Sequence, residues 1–138
     1  MNNIGFWNVR GMNSRTKQFK INRLSKQNNV GLLGLLETRI KISNMQQNVF
    51  TSDGKWSVVT NYNQHIGGRI WLIWDPTVFE ITDVRTFTQC IHVKARDRIT
   101  MQTFWLTLVY GMNKAAESVE LWQQIRRIRQ NMDGVWGI

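Results

Sequence analysis

Two apolar runs in this chain each end in a hard oxygen donor. Ile4-Gly5-Phe6-Trp7 leads into Asn8, and Leu32-Leu33-Gly34-Leu35-Leu36 leads into Glu37. A carboxamide oxygen and a carboxylate suit Mg2+, which prefers oxygen and keeps several waters; a metal held there would polarise a phosphoryl oxygen. The same two residues have plainer uses, with Asn8 satisfying a turn and Glu37 pairing with Arg39 or Arg10. Tyr110 closes the longest strand candidate, where its phenol either donates to a phosphate oxygen or rests as an amphipathic rim residue. The other reactive types carry less. His92 alternates with Cys90 and Lys94 on one strand face, but a Cys-x-His pair without further ligands is no zinc site. Neither His65 nor His92 has a nearby Asp in sequence to suggest a relay, and nothing around Cys90 lowers its pKa. Gly67-Gly68 reads as a turn rather than a phosphate loop.

For Asn8 and Glu37 to meet, the two runs must be parallel neighbours. Ile4 to Val9 reads as a strand, Ser14 caps a helix running to about Gln27, Asn28-Asn29 ends it, and Val30 to Glu37 is a strand buried on both faces. That stretch is about the length of a right-handed βαβ unit, and in a parallel pair both C-terminal ends share one sheet edge, where ligands sit. Beyond it the character changes. Lys55 to Thr60, Arg69 to Trp74, Phe79 to Val84, Thr88 to Ala95 and Ile99 to Tyr110 read as successive antiparallel strands, with turns at Asn61 to Gln64, Gly67-Gly68, Asp75-Pro76 and Arg96-Asp97-Arg98. Ser118 is expected to cap a helix from Val119 to about Gln130, with Leu121, Trp122, Ile125 and Ile128 on its inner face. A new strand begins at Val135-Trp136-Gly137-Ile138. Of the seven tryptophans, most are expected in the core, with base stacking the minority use.

Composition narrows the partners. Eighteen basic residues against nine acidic ones give a net charge of +9, which makes a polyanion the natural partner, nucleic acid before an anionic membrane surface. The cations are spread through Arg15 to Lys26, Arg39 to Lys41, Lys94 to Arg98 and Arg126 to Arg129, so the basic surface is folded rather than a tail. Mean hydropathy is −0.34, and no apolar run reaches the ~18 residues of a membrane span. A single cysteine allows no internal disulfide and fits a reducing compartment. With one proline, no linker and no repeat, residues 1–138 read as one folded unit.

Several blocks together resemble a known family. They are Trp7-Asn8-Val9-Arg10-Gly11-Met12-Asn13, Leu35-Leu36-Glu37-Thr38-Arg39, Gly67-Gly68-Arg69-Ile70-Trp71-Leu72-Ile73-Trp74-Asp75-Pro76, Val109-Tyr110-Gly111-Met112-Asn113 and Leu121-Trp122. In order and spacing they resemble the endonuclease/exonuclease/phosphatase (DNase-I-like) superfamily, and within it the endonuclease domain of plant LINE-type (non-LTR) retrotransposons. The resemblance implies an α/β (α+β) four-layer sandwich and Mg2+-dependent hydrolysis of a DNA phosphodiester. It makes Glu37 the metal ligand, with Asn8 ordering the site or sharing the metal. Tyr110 becomes the phosphate contact, and Asn113 a looser carry-over. The family's Gly-Asp-Phe-Asn and Ser-Asp-His blocks, which supply the base and its positioning groups, have no counterpart in these residues. The expectation is therefore the N-terminal portion of such a domain, inactive alone and prone to aggregate through uncovered sheet faces. The alternatives are a non-catalytic, basic nucleic-acid-binding remnant and a phosphatase of the same superfamily.

Overall fold

The structure, a computed structural model, describes residues 3–41, 48–52, 54–62, 69–110, 115–130, 134 and 136–137. The first strand, β1 (Asn3–Asn8), leads through Ser14 into α1 (Arg15–Gln27). The Ser14 hydroxyl accepts from the Lys17 N–H at 3.4 Å, which caps an otherwise unsatisfied helix end. Asn28 ends the helix by donating its N–H to the Leu24 carbonyl, and Asn29 follows with a positive φ of 54°. The chain then returns as β2 (Val30–Leu36), parallel to β1 with Asn8 opposite Leu36. The predicted strand–helix–strand unit is therefore present.

A single helical turn, α2 (Val49–Ser52), precedes β3 (Ser57–Thr60) and β4 (Ile70–Trp74), completing a first sheet in the order β1-β2-β4-β3. The second sheet runs β5 (Phe79–Thr86), β6 (Cys90–Asp97), β7 (Thr103–Val109), β8 (Trp136–Gly137), in that order. Antiparallel neighbours occur as expected in β3–β4 and in β5–β6–β7. The succession breaks at Trp74, where the chain changes sheets. Asp75 Oδ1 accepts from the Thr77 N–H at 2.9 Å and its hydroxyl at 2.7 Å, turning the chain at Pro76 out of the first sheet. The last strand, β8, joins β7 in parallel. The expected start of β7 at Ile99 is also displaced: Asp97 Oδ1 accepts from the Ile99 and Thr100 N–H groups, holding those residues in the turn.

Alternation along β2 sorts the core. Leu33 and Leu35 point outward and join Ile21, Phe50, Trp71 and Ile73 under α1 and α2. Leu32 points the other way and joins Leu72, Ile91, Val93, Leu106 and Leu108 between the sheets. Gly34 shares that inner face, and a Cβ there would stand 2.7 Å from Leu108 Cδ1. The Leu108 methyls fill the space a side chain at this position would take. Buried Asn61 ties the sheets at one end, accepting from the Ile70 N–H and donating to the Thr88 carbonyl at 3.1 Å.

The closing helix, α3 (Ala115–Gln130), begins before Ser118, which lies inside it rather than capping it. Trp122 is 61% exposed and leaves the expected inner face, while Gln124 turns inward and donates to Thr88 Oγ1 at 3.0 Å. The layers are thus helix, sheet, sheet, helix. No helix among the described residues is long and apolar enough to cross a membrane.

Candidate phosphodiester site at the sheet edge

Past the ends of β1 and β2 the backbones stay zipped together. The Val9 N–H donates to the Leu36 carbonyl at 2.9 Å, Gly11 to Glu37 at 2.6 Å and Met12 to Thr38 at 2.9 Å. This is the edge at which parallel strands present their C-terminal residues. Pairing continues there through a strained path: Arg10, Glu37 and Arg39 all have φ between 50° and 56°. Non-glycine residues seldom adopt that conformation, which costs of order 1–3 kcal/mol each and concentrates at functional sites. Gly11, with φ of 90°, packs against the Arg39 side chain.

Glu37 stands at the centre. Its Oε1 accepts the Tyr110 hydroxyl at 3.0 Å, although the two residues lie 73 positions apart. Its Oε2 faces Arg39 Nη2 at 3.3 Å. Glu37, Arg39, Lys41, Arg69 and Tyr110 wall a cleft of about 330 Å3, and the Arg69 guanidinium lies 5.7 Å from the centre of the Tyr110 ring. One carboxylate therefore sits among three cations. Such a cleft attracts an anion, and a carboxylate flanked by bound phosphate can still anchor a hard cation.

The candidate residues divide. Glu37 and Tyr110 come together in the cleft. Asn8 is exposed at the end of β1, next to that edge, and its Oδ1 accepts from the Arg10 N–H at 3.2 Å. This is the turn-satisfying use open to it from sequence, and the Arg39 contact of Glu37 is likewise the plain pairing. Asn113 lies outside the described residues. Arg39, Lys41 and Arg69 were not singled out as site residues. Their clustering depends on the left-handed turns at Glu37 and Arg39 and on the approach of β4, which no local spacing encodes.

His92 and Cys90 are elsewhere. Both face the outer side of the second sheet, buried. Burial pushes the Cys90 thiol up to about 12, and burial followed by the nearby Arg85 guanidinium pushes His92 down to about 4. At neutral pH the thiol therefore stays protonated and the imidazole stays neutral and weakly basic. Among the described residues no group of three or more His, Cys, Asp or Glu side chains is placed to hold a metal.

No family model and no curated protein sequence matches the chain. Solved structures do match its shape. The endonuclease domain of TRAS1, a telomere-specific non-LTR retrotransposon, superposes with a TM-score of 0.64 at 14% identity, over 93% of this chain and 54% of that one. TDP2 of D. rerio, solved with a single-strand DNA product, gives 0.65 at 11% identity, over 96% and 56%. A mannosyl-6-phosphatase of Bacteroides thetaiotaomicron gives 0.61 at 11% identity, over 96% and 61%. The chain has the fold of the endonuclease/exonuclease/phosphatase proteins. It spans little more than half the length of these three structures. A fold shared by an endonuclease domain and a mannosyl-6-phosphatase does not choose between them, so the choice rests on the cleft.

Proposed function

We propose that this chain carries part of a phosphodiester-hydrolysing site of the retrotransposon endonuclease type, with DNA as substrate. The supporting observation is the Tyr110–Glu37 hydrogen bond at 3.0 Å, which joins the edge of one sheet to the end of the other inside a cationic cleft. The net charge of +9 favours a polyanionic substrate over a small phosphoester.

Glu37 fits as one ligand of Mg2+, an ion that commonly takes one or two carboxylates and completes its shell with water and substrate phosphate. When bound, the ion would supply charge to polarise a phosphoryl oxygen. The chain's own groups do the rest of the positioning. Tyr110 orients one Glu37 oxygen, leaving the other to exchange Arg39 for a metal. Arg39, Lys41 and Arg69 neutralise phosphate charge, and Asn8 fixes the turn that carries Arg10. Asn113 follows Tyr110 closely in sequence and belongs to the same proposal.

Among the described residues, no histidine and no second carboxylate lines the cleft to activate water. A general base contributes roughly 10²–10⁴-fold, so the cleft as the described residues build it is proposed to bind phosphate without turning it over. Plasmid nicking in Mg2+ tests this. The expected result is no nicking above background. Mg2+-dependent nicking that disappears in Glu37→Ala would overturn inactivity while keeping the metal role. The second reading, nucleic-acid binding without any metal, is favoured by the excess of cations around Glu37. It predicts DNA affinity that falls steeply with salt and ignores both Mg2+ and Glu37→Ala.

A further inference from the structure

Before Glu37 the chain contains six basic residues and no acidic one. Five of the six, Arg15, Lys17, Lys20, Arg23 and Lys26, lie on α1. The helix buries Gln18, Ile21 and Ser25, so its other positions carry five cations and no carboxylate of the helix's own. That surface is also concave. A groove of about 880 Å3 runs along it, with Arg15, Phe19, Lys20, Asn22, Arg23 and Lys26 in its walls. From Arg15 to Lys26 the helix rises ~16 Å, enough to follow a few nucleotides.

Two details point to an unpaired strand. Phe19 is 53% exposed, with the Arg15 guanidinium 5.8 Å from its ring centre. An aromatic face between cations is what single-stranded nucleic acid uses, with bases stacking on the ring and phosphates meeting the charges. Asn22, in the same wall, adds a carboxamide, a group able to pair with base edges. A membrane surface fits less well, because an interfacial helix needs a broad apolar face and here Ile21 is turned into the core.

We propose that the α1 groove is a single-strand nucleic-acid subsite, distinct from the Glu37 cleft, in which Lys20, Arg23 and Lys26 take backbone phosphates and Phe19 stacks a base. It holds whether or not the cleft hydrolyses anything.

The test is fluorescence anisotropy of the 138-residue protein with a labelled oligothymidylate and with the same strand in duplex. The single strand is expected to bind more tightly. Phe19→Ala weakens it about tenfold at unchanged salt slope. Lys20→Glu with Arg23→Glu weakens it more and lowers the salt slope by about 1.4, two phosphates at ~0.7 each. Lys94→Glu, a cation on the other sheet, changes affinity less than about threefold. All four substituted side chains lie on the surface or at its margin, so circular dichroism should match the parent. Equal losses from Lys94→Glu and the α1 pair would reduce the effect to net charge and overturn the proposal. So would single-strand affinity indifferent to Phe19→Ala, or variants that lose only binding to phosphatidylserine vesicles.

Discussion

Two polar clusters in this molecule use similar chemistry to opposite ends. At the edge of the first sheet, Glu37 meets Tyr110 and Arg39 in an open, strained, cationic cleft. On the outer face of the second, the Trp136 indole N–H donates to Thr107 Oγ1 at 2.8 Å, and the same hydroxyl shares a hydrogen bond with His92 Nδ1, also at 2.8 Å. The His92 ring stacks on Trp105 with centroids 5.0 Å apart. The histidine and the cysteine of this cluster are both buried, in keeping with the small weight their sequence context carries. The group with an exchangeable partner is a glutamate. Reactivity follows from which lone pairs stay available, not from residue type.

If the second cluster is structural, breaking it should cost folding energy and nothing in binding. Thr107→Val keeps the shape and orphans both His92 Nδ1 and Trp136 Nε1, at ~1–3 kcal/mol for each buried group. A loss of about 2–4 kcal/mol in urea unfolding is expected, with DNA affinity unchanged in the folded fraction. A loss below about 0.5 kcal/mol would make the network incidental.

The same cluster should report on pH. His92 is held near 4, below its ordinary 6.5, by burial and then by Arg85. As pH falls below 6.5 the unfolded chain takes up the proton first. Stability present above 6.5 is therefore lost as pH falls toward 4, with no further loss from this group below that. The expected change is on the order of 2 kcal/mol. Carboxylates titrate nearby, so the measure is the difference from His92→Gln, whose amide oxygen still accepts from Thr107. Parallel pH curves for the two proteins would remove His92 from the account.

The cleft and the cluster also differ in how far the sequence revealed them. The parallel pairing of β1 and β2 was legible because a capped helix of known length separates two apolar runs, which leaves few topologies. The sheet change at Asp75-Pro76 was not, since a turn signal says where the chain bends and not which sheet receives it. On α3, Trp122 follows the apolar period yet faces solvent, while Gln124 breaks that period and is buried by its bonds to Thr88 and Cys90. Periodicity counts hydrophobicity and misses a glutamine whose partners lie on another strand. In the site, Glu37 and Tyr110 were nameable one by one. Their contact spans 73 residues and depends on the sheets meeting over Gly34, which no local pattern encodes.

Tyr110→Phe probes that contact with a smaller effect. It removes one donor from a part-buried carboxylate and leaves a ring for Arg69 to cover, so about 1 kcal/mol of stability should be lost. Cation affinity at Glu37 should change at the same time, because the oxygen that Tyr110 held becomes free to ligate. A loss above about 3 kcal/mol would put Tyr110 in the same class as Thr107, and the contrast between the two regions would collapse.

Glu37→Gln should disturb folding least and function most. The amide Oε1 still accepts from Tyr110, and the bond given up is an ion pair whose Arg39 side chain is 64% exposed. Pairs of that kind are worth ~0–1 kcal/mol. A stability shift within about 0.5 kcal/mol is expected. Mn2+, used as a paramagnetic probe in place of Mg2+, should broaden the amide resonances of residues 36–39 in the parent and leave them sharp in the variant. Broadening that survives Glu37→Gln would take the metal away from this carboxylate. A large stability loss would mean that the strained backbone at Glu37 is maintained by its charge. Neither is expected, because the zipper from Val9 to Met12 holds this edge chiefly through main-chain bonds. The Glu37 oxygen that faces Arg39 is thereby left available as a ligand.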